Sequence, residues 1–136
     1  MNKKIIVVIL CFVMIGSSLL LFTNFNTTDN KILEQTFMVN AIYYENDGYV
    51  EIKFQDKSNE TTHVTLEILG MPQTFHKEYT SSVFVEKIPF SNTPAYGWQS
   101  MPVTLLVNHE KFGVIGIKTE IRSFDVDPAK IIFSKG

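Results

Sequence analysis

The sequence predicts an all-β domain, an antiparallel sandwich of about seven strands, behind one apolar N-terminal segment. Two observations predict the domain. Short runs of alternating apolar and polar residues recur at spacings of about 12–15 residues, separated by Gly, Pro, Asn and Asp. No stretch after residue 22 sustains the 3.6-residue period of an amphipathic helix. A third observation predicts the leading segment: residues 5–22, IIVVILCFVMIGSSLLLF, carry no charge.

Eighteen helical residues rise about 27 Å, close to the hydrocarbon thickness of a bilayer. Lys3 and Lys4 precede the run and favour the cytoplasmic side, so residues 1–4 read as a cytoplasmic stub and everything after Phe22 as extracytoplasmic. The exit from the run offers no pair of small residues in an A-x-A pattern, which favours an uncleaved anchor over a removed signal. Leu10 before Cys11 does not fit a lipidation site, and Cys11 reads as a thiol buried in the span. Residues 23–34 read as a short linker.

The sandwich is expected over 35–122. Runs 35–44 and 49–55 flank Glu45-Asn46-Asp47-Gly48, whose Asp-Gly is a hairpin signal. A two-residue turn there puts Phe37, Val39, Ala41 and Tyr43 on one face with Val50, Ile52 and Phe54. The opposite face then carries Met38, Ile42, Tyr44 and Tyr49 among Asn40, Glu51 and Lys53. Half of that face is apolar, which makes these four residues candidates for contact with a partner. Residues 62–69 alternate again with Val64, Leu66 and Ile68 inward; 73–80 read as a weak edge strand.

In 82–90, Phe84, Ile88 and Phe90 share a parity that Glu86 interrupts. Residues 91–100, SNTPAYGWQS, read as a loop holding the sole Trp. Val103, Leu105 and Val107 form one strand, and Ile115, Ile117 and Ile121 the next, with the facing of that hairpin open. The tail, 123–136, offers either a helical turn at Asp127-Pro128 or a last strand at Ile131-Ile132-Phe133. In strand number and spacing the arrangement resembles an immunoglobulin-like or fibronectin type III-like module. The resemblance is one of architecture, because no Cys…Trp…Cys pattern and no family motif is present.

Composition narrows the chemistry. Beyond the anchor stand ten Lys/Arg and fourteen Asp/Glu, a net charge of −4, with no basic patch; nucleic acid is not expected as a partner. No cysteine follows Cys11, so no disulfide is expected in the domain. His63, His76 and His109 read as three surface histidines without metal-ligand spacing. No G-x-S-x-G or other convergent constellation marks a catalytic site, and no cofactor is expected. Asn26 and Asn59 each open an N-x-T sequon and are candidate glycosylation sites on the extracytoplasmic side.

These features lead to the expectation of a membrane-tethered, non-enzymatic interaction domain, an accessory subunit of a membrane or envelope complex, with a protein partner in the same membrane. An alternative is a glycan- or envelope-polymer-binding or adhesion module that uses Tyr96 and Trp98 of the 91–100 loop. A second alternative is a metal carrier built from the histidines with Met71 or Met101.

Overall fold

The computed structural model describes residues 30–71 and 73–135. The chain divides into two compact units, 1–35 and 36–136. Of the first, residues 30–35 are described and are helical; the helical stretch ends at Thr36, and the first strand starts two residues later than the alternation suggests. Lys31, Leu33, Glu34 and Gln35 are good helix formers, but so short a run shows no period to read. The expected membrane span at 5–22, the stub before it and Asn26 lie outside the described residues. Among the described residues no helix is long and apolar enough to cross a membrane.

The second unit is all β. Its strands are β1 (Phe37–Tyr44), β2 (Tyr49–Asp56), β3 (Thr61–Ile68), β4 (Phe75–Tyr79), β5 (Val83–Pro89), β6 (Val103–His109), β7 (Gly113–Thr119), β8 (Arg122–Ser123) and β9 (Ile132–Lys135). One sheet has the order β5-β2-β1-β8 and the other β4-β3-β6-β7-β9. Every pairing is antiparallel except β1 with β8, which is parallel and involves two residue pairs. The count exceeds the expected seven by two short strands, β8 and β9. The weak run at 73–80 forms β4, an edge strand, and the tail forms β9.

The core lies between the sheets and is built from alternate positions. Val39 faces Phe54, Ala41 faces Ile52 and Tyr43 faces Val50 across β1 and β2. All six side chains are buried. This is the facing that a two-residue turn gives, although the loop 45–48 has four residues, with the Tyr44 carbonyl accepting from the Asp47 and Gly48 N–H groups. Gly48 has φ +69, a conformation that a side chain strains. Val64, Leu66 and Ile68 of β3, Val103, Leu105 and Val107 of β6, and Ile115 and Ile117 of β7 join them, with Phe37, Phe84, Ile88 and Ile121 also buried. Leu105 opposite Ile117 and Val107 opposite Ile115 fix the facing that the sequence leaves open.

Glu86 has a reason to break the apolar parity of β5. Its carboxylate accepts from the Tyr79 hydroxyl and, at 2.9 Å, from Lys77 Nζ. Both donors are on β4, so the pair of bonds clasps one open side of the sandwich, between the edge strands of the two sheets. The Tyr79 ring stacks on Phe84 with centroids 3.7 Å apart. An inward charge at an edge also discourages strand addition by another chain. Burial by itself raises the Glu86 pKa, but the bonds from Tyr79 and Lys77 hold it below its ordinary value; burial and the adjacent carboxylate push the Tyr79 hydroxyl upward.

Candidate functional site

The outer face of the β5-β2-β1-β8 sheet brings four of the sequence-selected residues onto one surface. Register sets its rows: Tyr44, Tyr49 and Pro89; then Ile42, Glu51 and Lys87; then Asn40, Lys53 and Val85; then Met38, Gln55 and Val83. The rows sort the candidates. Ile42, Tyr44 and Tyr49 form a corner, whereas Met38 lies six residues from Tyr44, about 20 Å along the strand. Met38 is 37% exposed, near Val83 and Val85 at 53% and 54%. Glu51 and Lys53 pair at 3.3 Å between the two apolar ends.

The corner is aromatic. The rings of Tyr44 and Tyr49 are 5.2 Å apart, and Phe124 stacks on Tyr44 at 6.4 Å with an interplanar angle of 10°. Lys87 Nζ lies 5.0 Å from the Tyr49 centroid, a cation–π contact. Phe124 is 60% exposed and Val126 54%. Phe124 reaches this corner because Arg122 and Ser123 pair with Ile42 and Tyr43 in the parallel β1–β8 ladder. No local pattern in the sequence signals a parallel pairing between segments so far apart.

The 91–100 loop splits its two aromatics. Gly97, with φ +82, turns the chain into a short 3₁₀ turn, Trp98–Ser100. The Trp98 ring packs 5.0 Å from buried Tyr43 and 5.8 Å from Phe90. It closes one end of the sandwich and is half-buried. Tyr96 stays 85% exposed. The loop therefore presents one ring fully to solvent and the other only in part.

His109 corrects the expectation of three surface histidines. Its side chain is fully buried at the end of β6, beside Asp56, whose side chain is also fully buried. Nδ1 accepts the backbone N–H groups of Lys111 and Phe112 at 3.1 and 3.2 Å. A neutral ring with Nδ1 accepting carries its proton on Nε2. Nε2 then faces Ser58 Oγ at 2.9 Å and Asp56 Oδ2 at 3.3 Å. Ser58 Oγ donates to Asp56 Oδ1 at 2.6 Å, so its proton is directed at the carboxylate. A hydrolytic triad needs an imidazole lone pair on the serine. Here that lone pair is spent on the backbone, and the Ser-His-Asp cluster is a staple.

Asp56 is the centre of that staple. Its two oxygens accept from Ser58 N–H (2.8 Å), Ser58 Oγ, Glu60 N–H (3.0 Å) and Thr61 Oγ1 (2.7 Å). Burial alone raises its pKa, but the four donors outweigh burial and hold the carboxyl below its usual range. Asn59 is exposed on the arch between the sheets and has φ 59, a conformation Asn tolerates, so its residue type has a backbone reason.

His63 and His76 share the outer face of the other sheet with Glu67 and Glu78. His76 Nδ1 lies 2.8 Å from Glu67 Oε1, and Glu78 Oε1 lies 3.8 Å from His63 Nε2 and 3.9 Å from His76 Nε2. Among the described residues no three His, Cys, Asp or Glu side chains are grouped so as to hold a metal ion. A shallow groove of about 400 Å³ crosses the same face, over Gly116 and between Leu106 and Ile132. Its walls carry hydroxyls, aliphatic groups and the charged side chains Glu67 and Lys118, without an aromatic platform. Compared with known proteins, the chain matches no family model and no curated sequence.

Proposed function

We propose that this protein is a single-pass membrane protein whose segment 5–22 anchors an extracytoplasmic domain, with the N-terminus in the cytoplasm. The domain works without catalysis, as an accessory subunit that docks a protein of the same membrane or envelope on the outer face of its β5-β2-β1-β8 sheet. The observation that carries this reading is the corner of Ile42, Tyr44, Tyr49 and Phe124, in which three aromatic rings in contact are left partly open to solvent. Stacked aromatics supply contact area at low entropy cost and are common anchors of interfaces. The anchor is supported by the charge-free run after Lys3-Lys4.

The domain is an immunoglobulin-like sandwich in this reading, and strand order supports it. With β1 to β7 lettered A, B, C, C′, E, F and G, one sheet reads E-B-A and the other C′-C-F-G. Those neighbours are the ones such sandwiches use, and β8 and β9 are additions at the two edges.

Isolation of the full-length chain in mild detergent, with and without the Ile42→Lys/Tyr44→Lys double substitution, tests the docking reading. The unaltered chain recovers a membrane protein in fixed proportion, and the variant recovers none. Both side chains point outward, so the variant loses about 1 kcal/mol of stability or less. An undisturbed complex in the variant, or a variant that unfolds, refutes the reading.

A further inference from the structure

The chemistry of the partner is written in what surrounds the aromatic corner. The β1–β2 loop adjoining Tyr44 and Tyr49 carries Glu45 and Asp47, both exposed. The segment that delivers Phe124 continues through Asp125 and Asp127, also exposed. Four exposed carboxylates therefore lie within three residues, along the chain, of Tyr44, Tyr49 or Phe124. Lys87 and Arg122, on the same part of the sheet, keep their charge but turn back onto the domain, and the four carboxylates outnumber them. Lys87 lies over the Tyr49 ring, and Arg122 Nη1 donates to the Val126 carbonyl at 2.5 Å.

Resting on the reading that this corner is a docking surface, we infer that its occupant is a basic protein segment, an apolar side chain flanked by Lys or Arg. The apolar side chain seats against Tyr44, Tyr49 and Phe124, and the flanking cations meet the rim of Glu45, Asp47, Asp125 and Asp127. Charge excludes the other occupants. An anionic bilayer surface or a nucleic acid meets like charge on the rim. A second copy docked through the same corner across a two-fold sets acidic rim against acidic rim. Complementary charge at an interface rim chiefly speeds encounter and rejects wrong partners, while the rings supply holding energy.

Photo-crosslinking of the full-length chain in the cells that make it tests the inference, with p-benzoylphenylalanine as the probe at position 124, 44 or 49. The adduct maps to a partner segment of net positive charge. Neutralising the rim (Glu45→Gln, Asp47→Asn, Asp125→Asn, Asp127→Asn) lowers adduct yield about tenfold, with the thermal midpoint unchanged. Raising salt from 50 to 500 mM in isolated membranes lowers the yield of the unaltered chain in the same direction. An adduct whose yield ignores both the rim and salt, or one that maps to an acidic or neutral segment, overturns the basic partner and leaves the docking face standing. No adduct from any of the three positions overturns both.

Discussion

Replacing Asp56 with Asn removes one charge and one acceptor from the centre of the buried staple while keeping its shape. The carboxylate accepts four hydrogen bonds, two on each oxygen, and each oxygen receives one backbone N–H and one hydroxyl. Asn offers one oxygen. Its amide group must then face a backbone N–H, of Ser58 or of Glu60, which cannot reverse; the accompanying hydroxyl can turn to accept. An orphaned buried N–H costs about 1–3 kcal/mol, and bonds to a charged acceptor are stronger than neutral ones by up to about 1–2 kcal/mol. The expected loss is about 3–4 kcal/mol, a large share of the ~5–15 kcal/mol that stabilises a typical domain. For a unit of this size that lowers the thermal midpoint on the order of 15–25 °C.

The same residue sets a pH dependence. The native carboxyl lies below its ordinary value of 3.8, so its contribution is fully present above that pH and is lost as pH falls through the native value. Thermal unfolding of the full-length chain in detergent, followed by circular dichroism from pH 7 to pH 2.5, reads both effects. The gap between the unaltered chain and Asp56→Asn is constant near neutrality and narrows below about pH 4. A gap under 1 kcal/mol at pH 7, or one that does not narrow in acid, refutes the reasoning.

Three further outcomes follow from the packing. Trp98→Ala lowers stability by about 2–3 kcal/mol, less than a fully buried Trp would because the ring is half-exposed, while Tyr96→Ala changes it by about 0.5 kcal/mol or less in the same melts. Glu86→Gln weakens the clasp to Lys77 and Tyr79 and costs about 1 kcal/mol. Its native pKa also lies below the ordinary 4.5, so that difference narrows as pH falls below 4.5. Gly48→Ala, which puts a side chain at φ +69, destabilises the β1–β2 hairpin by about 1 kcal/mol, read from the denaturant midpoint at unchanged slope.

The parts of the fold legible in sequence are those set by local pattern. Alternation across one short loop is enough to face Phe37, Val39, Ala41 and Tyr43 with Val50, Ile52 and Phe54, because a two-residue period makes every register of the right parity bury them together. That same register names Met38, Ile42, Tyr44 and Tyr49 as the other face. What local pattern does not carry is anything decided between segments distant in sequence. No local pattern links Asp56 with His109, which reads as a surface histidine, yet they meet because the β2–β3 arch and the β6–β7 turn converge at one end. Phe124 joins the aromatic corner only through a parallel pairing with β1. Glu86 breaks the parity of its strand for partners on the facing sheet's edge, and Trp98 turns inward because Tyr43 and Phe90 border the space it fills.

The central claim, that the outer face of the β5-β2-β1-β8 sheet is covered in the working protein, has a direct test in hydroxyl-radical footprinting. Full-length protein is labelled in the cells that make it, where the proposed anchor holds it in the membrane, and again after purification in detergent, and modification is counted residue by residue. Tyr44, Tyr49 and Phe124 are expected to be protected in the membrane and to react after purification. Tyr96, which is 85% exposed on the other loop, reacts in both and serves as the internal standard. Equal labelling of the three corner residues in both states contradicts the account.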